Sequence, residues 1–382
     1  MGLPELNRRE FLQGSLAAGA ALFRGPAATP QGRLLGTLPL TSRGAQHPPL
    51  NTPLGVGLDA RQFLDLSALT QNTLVTPTGD FYVRTRCPDR LDRRRPWTVG
   101  IRGLVRRPVE VSLAVLERMA DPMGTVLLEC AGNTNPNNFG LMSAAGWTGV
   151  PLQRVLARVV PLRKATRVLV SGFDDHSQPS RSSVAGASWI FTFEQLEAAG
   201  AFLATEMNGK PLSPDHGFPV RLVVPRWYGC ASTKWVNEIL LVDEEEPATS
   251  QMREFARRTF QEGQPELARD YAPATIDLAA TAVRVEKWLV DGKIVYRVIG
   301  VMWGGARPTN ALVIRFKSTD PWVRVESCPL PPDTATWTMW SHTWRPDSPG
   351  SYQVVLRGED PGIPAGRLDM YFYLREVHID EV

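Results

Sequence analysis

Residues 125–156 read TVLLECAGNTNPNNFGLMSAAGWTGVPLQRVL. An apolar run of β type delivers one cysteine, Cys130, into a small polar turn, and a helix start follows at Pro151. Ala131, Gly132 and Asn133 bring little side-chain bulk, so a large planar ligand has room to approach the backbone beside the sulfur. A thiolate is a soft ligand that suits transition metals and leaves the hard cations to oxygen. Residue types alone leave a second reading open, because cysteine is among the most buried residues and most lone buried cysteines are inert.

Composition narrows the possibilities around that segment. With 382 residues, 43% hydrophobic and 21% charged, the chain is an ordinary globular protein large enough for two domains. The net charge is only +3, and the one basic run, Arg93-Arg94-Arg95, reads as a solvated loop, so no nucleic-acid partner is expected. Cys87, Cys130, Cys230 and Cys328 are widely spaced and form no C-x-x-C or C-x-x-C-H, so covalent haem is not expected, and the spacing leaves any disulfide open. Five scattered histidines make no H-E-x-x-H or H-x-H cluster, which removes zinc hydrolysis. G-x-S-x-G, P-loop and dinucleotide fingerprints are likewise missing in a suitable context.

The N-terminus carries independent information. Asn7-Arg8-Arg9-Glu10-Phe11-Leu12 precedes an Ala/Gly-rich apolar stretch to Phe23 and small residues at Ala27 and Ala28. That layout fits a twin-arginine export signal over residues 1–30 and a periplasmic destination. No stretch approaches the roughly 20 apolar residues of a transmembrane helix, so no membrane span is expected.

Punctuation divides the remainder. Residues 31–54 are rich in Pro and Gly and read as an extended arm. From 55 to 268 strands and helices mix in an α+β pattern. Ser112 begins a helix to Met119, Pro151 begins one to about Val159, and Thr192 with Gln195 forms a capping box for Phe193 to Ala199. Strands are expected at Val168 to Ser171, Ala201 to Glu206 and Val220 to Val224. From 269 to 382 the pattern is nearly all β, beginning with Ala282 to Val290 and Lys293 to Trp303 joined by Asp291-Gly292. About seven strands in the last stretch suggest an immunoglobulin-like sandwich.

ECAGN followed by GWTGVPLQRVL resembles the molybdenum-ligand segment of the sulfite oxidase family, which holds molybdopterin-bound metal through one cysteine. The resemblance implies a mixed α/β molybdopterin-binding domain followed by an immunoglobulin-like domain that carries a dimer interface, with Cys130 as the metal ligand. Tyr82-Val83-Arg84-Thr85-Arg86-Cys87-Pro88 resembles an early family segment, which implies that Arg84 lies near the metal and that Arg86, where histidine is common, contacts the pterin. Asp174 resembles an acidic pterin contact, although an Asp after Gly-Phe is also a good turn residue. His216 and Arg221, in MNGKPLSPDHGFPVR at 207–221, are implied donors to the cofactor phosphate. Gly229, Ser232 and Lys234 resemble the loop that closes over the cofactor.

Departures bear on substrate. Thr134 and Asn135 stand where the family carries arginines, one of which helps to hold an anionic substrate. No tyrosine occurs between Tyr228 and Tyr271, where the family's active-site tyrosine is expected. The GLMSAAGWTGVPL wording and the run at 179–183 look closer to the molybdenum subunit of sulfane dehydrogenase and its relatives. The expectation is therefore an exported enzyme that transfers oxygen to a sulfur compound and passes electrons to a c-type cytochrome or another periplasmic acceptor, as a homodimer or heteromer. Two alternatives stand beside it: a reductase of a sulfoxide or nitrate on the same fold, and a cofactor-free binding protein.

Overall fold

The computed structural model describes residues 31–41, 48–133, 139–180, 183–363, 368 and 374–382. The export segment with Arg8 and Arg9, the departures at Thr134 and Asn135, and part of the 179–183 run lie outside the described residues.

Two five-stranded sheets form the part that holds the site. In the first, Phe202–Met207 pairs with Lys210–Pro211 and Arg221–Val223, and also with Met142–Pro151, which in turn pairs with Asp121–Glu129. In the second the order is Val109–Ser112, Thr98–Gly103, Val236–Val242, Arg167–Gly172 and Ser188–Thr192, with one parallel pair, Thr98–Gly103 beside Val236–Val242. Residues of both sheets, such as Val99, Leu127, Leu203 and Ile239, share one large core.

The chain is mostly β rather than an even mixture. Among the described residues the α-helices are Leu113–Met119, Leu152–Leu156, Phe193–Ala199 and Ser250–Phe255, each about two turns or less. The capping box forms as expected: Gln195 N–H donates to Thr192 Oγ1 at 3.0 Å and Thr192 N–H to Gln195 Oε1 at 2.9 Å. Ser112 occupies the N-cap of the first helix without a side-chain bond. The helix after Pro151 ends at Leu156, short of Val159, because the chain tightens there into i→i+3 bonds from Arg158 to Val155 and from Val159 to Leu156.

The chain beyond residue 275, joined by one strand from the N-terminal arm, forms two four-stranded antiparallel sheets around a shared core. One is ordered Arg33–Leu38, Ala279–Val290, Lys293–Trp303 and Trp337–Trp344; the other Val323–Arg324, Leu312–Arg315, Gly350–Gly358 and Arg375–Ile379. Asp291 and Gly292 have φ of 49° and 73°, as a primed hairpin turn requires. Within the segment read as an arm, Arg33–Leu38 adds an edge strand to Ala279–Val290. Side chains alternate along Lys293–Trp303: Val298 and Met302 enter the core between the two C-terminal sheets, whereas Ile299, Val301 and Trp303 enter the core of the N-terminal part. Burial on both faces explains why this strand reads as an unbroken apolar run.

Candidate active site

The strand Asp121–Glu129 pairs with Met142–Pro151 and places Cys130 just past its end. Cys130 N–H donates to Leu141 O at 2.9 Å, and Asn133 N–H donates to Cys130 O at the same distance. Asn133 Oδ1 accepts from the amides of Gly140 at 3.1 Å and Leu141 at 3.2 Å, which ties both ends of the turn together. Gly132 N–H points at Cys130 Sγ, 3.3 Å away, an arrangement that suits a thiolate.

Cys130 lines a partly open cleft. The cleft brings together nearly every candidate: Arg84, Asp174, His216, Arg221, Gly229, Ser232 and Lys234 line it with Cys130. Arg86 does not. Its Nε is held at 3.2 Å by Oδ2 of Asp215, a lining residue whose carboxylate also accepts from Cys87 N–H and fixes this segment in place. Arg84 spans the rim, donating to Leu58 O at 2.8 Å and Ser183 Oγ at 3.0 Å.

Burial and mutual repulsion set the charges inside. Lys234 is pushed down to about 7 by burial and by Arg221, and its Nζ donates to the carbonyls of Arg84, Thr85 and Asp215. Arg221 is pushed down to about 10 by burial; it donates to His216 O at 3.3 Å and lies over the Trp147 ring. Burial, then Arg221 and Lys234, push His216 down to about 4, so its ring is neutral near pH 7. His216 Nε2 faces Phe81 O at 3.2 Å, and a carbonyl only accepts, so this nitrogen carries the proton; Nδ1 then accepts from Ser213 Oγ at 2.7 Å. The imidazole N–H expected to reach a phosphate is thus already engaged. Burial would raise the Asp174 carboxyl, but His176 at 2.7 Å and the amides of Gly186 and Ala187 hold it below its ordinary value. Asp174 accordingly serves its own loop while facing the cleft.

Two side-chain donors in this wall have no hydrogen-bond partner among the described residues. They are Arg221 Nε and Thr233 Oγ1, both buried, and together they offer directed donors to an anionic oxygen. The described residues contain no cluster of three or more His, Cys, Asp or Glu, so a metal held by Cys130 needs a cofactor to supply its other ligands. A phosphate-bearing metal cofactor fits this donor set. The family described as the oxidoreductase molybdopterin-binding domain matches residues 85–250. Residues 85–250, which contain Cys130, Asp174, His216, Arg221 and Lys234, thus match a molybdopterin-binding oxidoreductase domain.

Similar curated proteins include the NADPH nitrate reductase of Aspergillus niger, 32% identical over 194 residues that make up 47% of this chain and 22% of that protein. The NADH nitrate reductase of Spinacia oleracea is 32% identical over 47% of this chain and 21% of that protein. The chain therefore spans about a fifth of the length of these relatives. Among solved structures, the sulfane dehydrogenase SoxCD from Paracoccus pantotrophus shares the fold, with a TM-score of 0.64 and 20% identity over 90% of this chain and 91% of that one.

Several further residues shape the site. Tyr82 lines the cleft, and burial together with Cys130 pushes its phenol well above the usual range. Tyr271, by contrast, lines a separate small pocket with Trp189 and Trp227. Arg61 pairs in register with Arg84 and is pushed down to about 10 by burial and by Arg84. Gly229 is required for close approach: a Cβ there would stand 2.6 Å from Tyr82 Oη and 3.2 Å from Glu129 O, on the backbone that leads to Cys130. All four cysteines are free thiols, and Cys230 shares the cleft with Cys130.

Proposed function

We propose that this chain is an exported molybdopterin enzyme that transfers an oxygen atom to a small sulfur compound and passes the electrons to a separate acceptor of the c-type cytochrome kind. The observation that carries the reading is the cleft itself, in which the Cys130 thiol stands with unpartnered donors on Arg221 and Thr233. Cys130 would hold the metal, Arg221 and Thr233 the cofactor phosphate, and Lys234, His216 and Asp174 would keep the surrounding loops in register. The bound cofactor supplies two-electron oxygen-atom exchange with water as the oxygen source. Arg84, aimed across the rim by Leu58 and Ser183, would orient an anionic substrate oxygen, with Arg61 adding positive charge behind it. The likeness to a sulfane dehydrogenase over nine-tenths of the chain favours sulfur chemistry.

A second reading, reduction of nitrate or a sulfoxide, draws support from the nitrate reductases at 32% identity. We also read residues 1–30 as a twin-arginine signal, residues 55–268 as the catalytic domain and residues 269–382 as an immunoglobulin-like domain suited to dimerisation. The described residues contain no helix long and apolar enough to cross a membrane. The deciding experiment is molybdenum quantification on natively exported protein, followed by two assays: oxidation of sulfite and thiosulfate with an artificial acceptor, and reduction of nitrate and a sulfoxide with a reduced dye. Turnover in the first assay supports the proposal. Turnover confined to the second supports the reductase, and metal-free, inactive protein supports a binding role.

A further inference from the structure

Glu129 immediately precedes Cys130 and is completely buried. Successive residues of a strand face opposite sides, so with Cys130 at the cleft the Glu129 side chain points away from it. On that side Glu129 Oε2 accepts from Trp303 Nε1 at 2.8 Å, and Oε1 accepts from Asn133 Nδ2 at 3.4 Å. Trp303 is the last residue of the strand Lys293–Trp303, in the C-terminal half of the chain. Two residues earlier on the Cys130 strand, Leu127 N–H donates to Ala335 O at 2.7 Å. The link runs onward from Asn133, whose Oδ1 gathers the Gly140 and Leu141 amides, to the Leu141 carbonyl that takes Cys130 N–H.

A leucine would fill the Glu129 position with no charge to desolvate, whereas a buried carboxylate is tolerated only where directional bonds compensate it. Those bonds fix the backbone on both sides of the thiol. We propose that Glu129 and Trp303 are positioning residues that make the C-terminal sheet part of the scaffold aiming Cys130 Sγ at the metal. This rests on the reading of Cys130 as the metal ligand. The C-terminal half then takes part in tuning the site as well as in any association between chains.

The test uses cofactor-free full-length protein alkylated by iodoacetamide, with the rate at each cysteine followed by peptide mass spectrometry. Trp303→Phe keeps the aromatic bulk and removes the N–H, and should raise the alkylation rate of Cys130 by about ten-fold, as expected for losing a hydrogen bond to a charged group. Cys230, in the same cleft, should alkylate at the wild-type rate. Glu129→Gln keeps an acceptor for the indole but turns its amide NH2 toward Asn133 Nδ2, a second donor, and should also raise the Cys130 rate several-fold while Cys230 stays at the wild-type rate. In molybdenum-loaded protein, Trp303→Phe should also shift the g-values of the paramagnetic metal signal. An unchanged Cys130 rate in Trp303→Phe, or an equal rise at Cys130 and Cys230, would overturn the proposal, as would unaltered g-values. Because alkylation is read without cofactor, its outcome is separate from whether Cys130 binds molybdenum, which the metal content of Cys130→Ser reports.

Discussion

Arg221 carries a guanidinium into a packed interior, and burial pushes its pKa down to about 10. A depression of that size corresponds to about 3 kcal/mol set against the charged form. The bond to His216 O at 3.3 Å and the position over Trp147 at 5.8 Å return about 1–2 kcal/mol together, so the arginine is a net burden on the empty protein. Its Nε has no partner among the described residues and faces the cleft wall, where a phosphate oxygen would complete it. Arg221→Met keeps the unbranched stem and removes the charge. Urea denaturation of cofactor-free protein should then show a gain of about 1 kcal/mol with an unchanged dependence on denaturant. Cofactor retention should move the other way, weaker by about ten- to a hundred-fold for the loss of a charge-assisted hydrogen bond. Molybdenum and pterin content after extended dialysis reads the second quantity. A variant that is less stable than wild type yet retains its cofactor equally well would refute the reasoning, because it would make Arg221 a structural residue whose donors already have all they need.

The other predictions are independent of that one. His216 is pushed down to about 4 in the fold, so the unfolded chain takes up the proton first as pH falls below about 6.5, and stability present above that pH is lost towards pH 4. The loss amounts to about 3 kcal/mol from this group, and His216→Phe should flatten the denaturation profile over that window; parallel profiles would show that other groups dominate. Gly229→Ala should cost about 1–3 kcal/mol and reduce molybdenum content, since the added methyl meets Tyr82 Oη and the backbone before Cys130; wild-type values for both would mean that the loop yields freely. Replacing Arg8 and Arg9 together by lysine keeps the charge but should leave folded, cofactor-loaded protein in the cytoplasm, and cell fractionation with normal periplasmic recovery would point to another export route.

Where local chemistry decides, the sequence was readable. The capping box of Thr192 and Gln195 and the hairpin at Asp291-Gly292 each need only residues within a few positions of one another, and both form. Met142–Pro151 shows the opposite case. MSAAGWTGVP has neither alternation nor β-branched weight, yet it is a ten-residue strand, because Ala144 and Ala145 are small enough to be buried on either face between layers supplied by distant segments. Arg33–Leu38 is a strand only because the hairpin beginning at Ala279 offers it an edge. The same division runs through the site. Motifs located the wall of the cleft, since Cys130, Arg221 and Lys234 are placed by the turns and strands that contain them. They did not foresee Tyr82 or Thr233, nor that Arg86 Nε bonds to Asp215 and His216 Nε2 faces Phe81 O, partners 129 and 135 positions away. A side chain's type states what it is able to donate. The tertiary contact decides who receives it, and for that reason the proposed phosphate position rests on the unpartnered donors of Arg221 and Thr233 rather than on the cationic residues as a class.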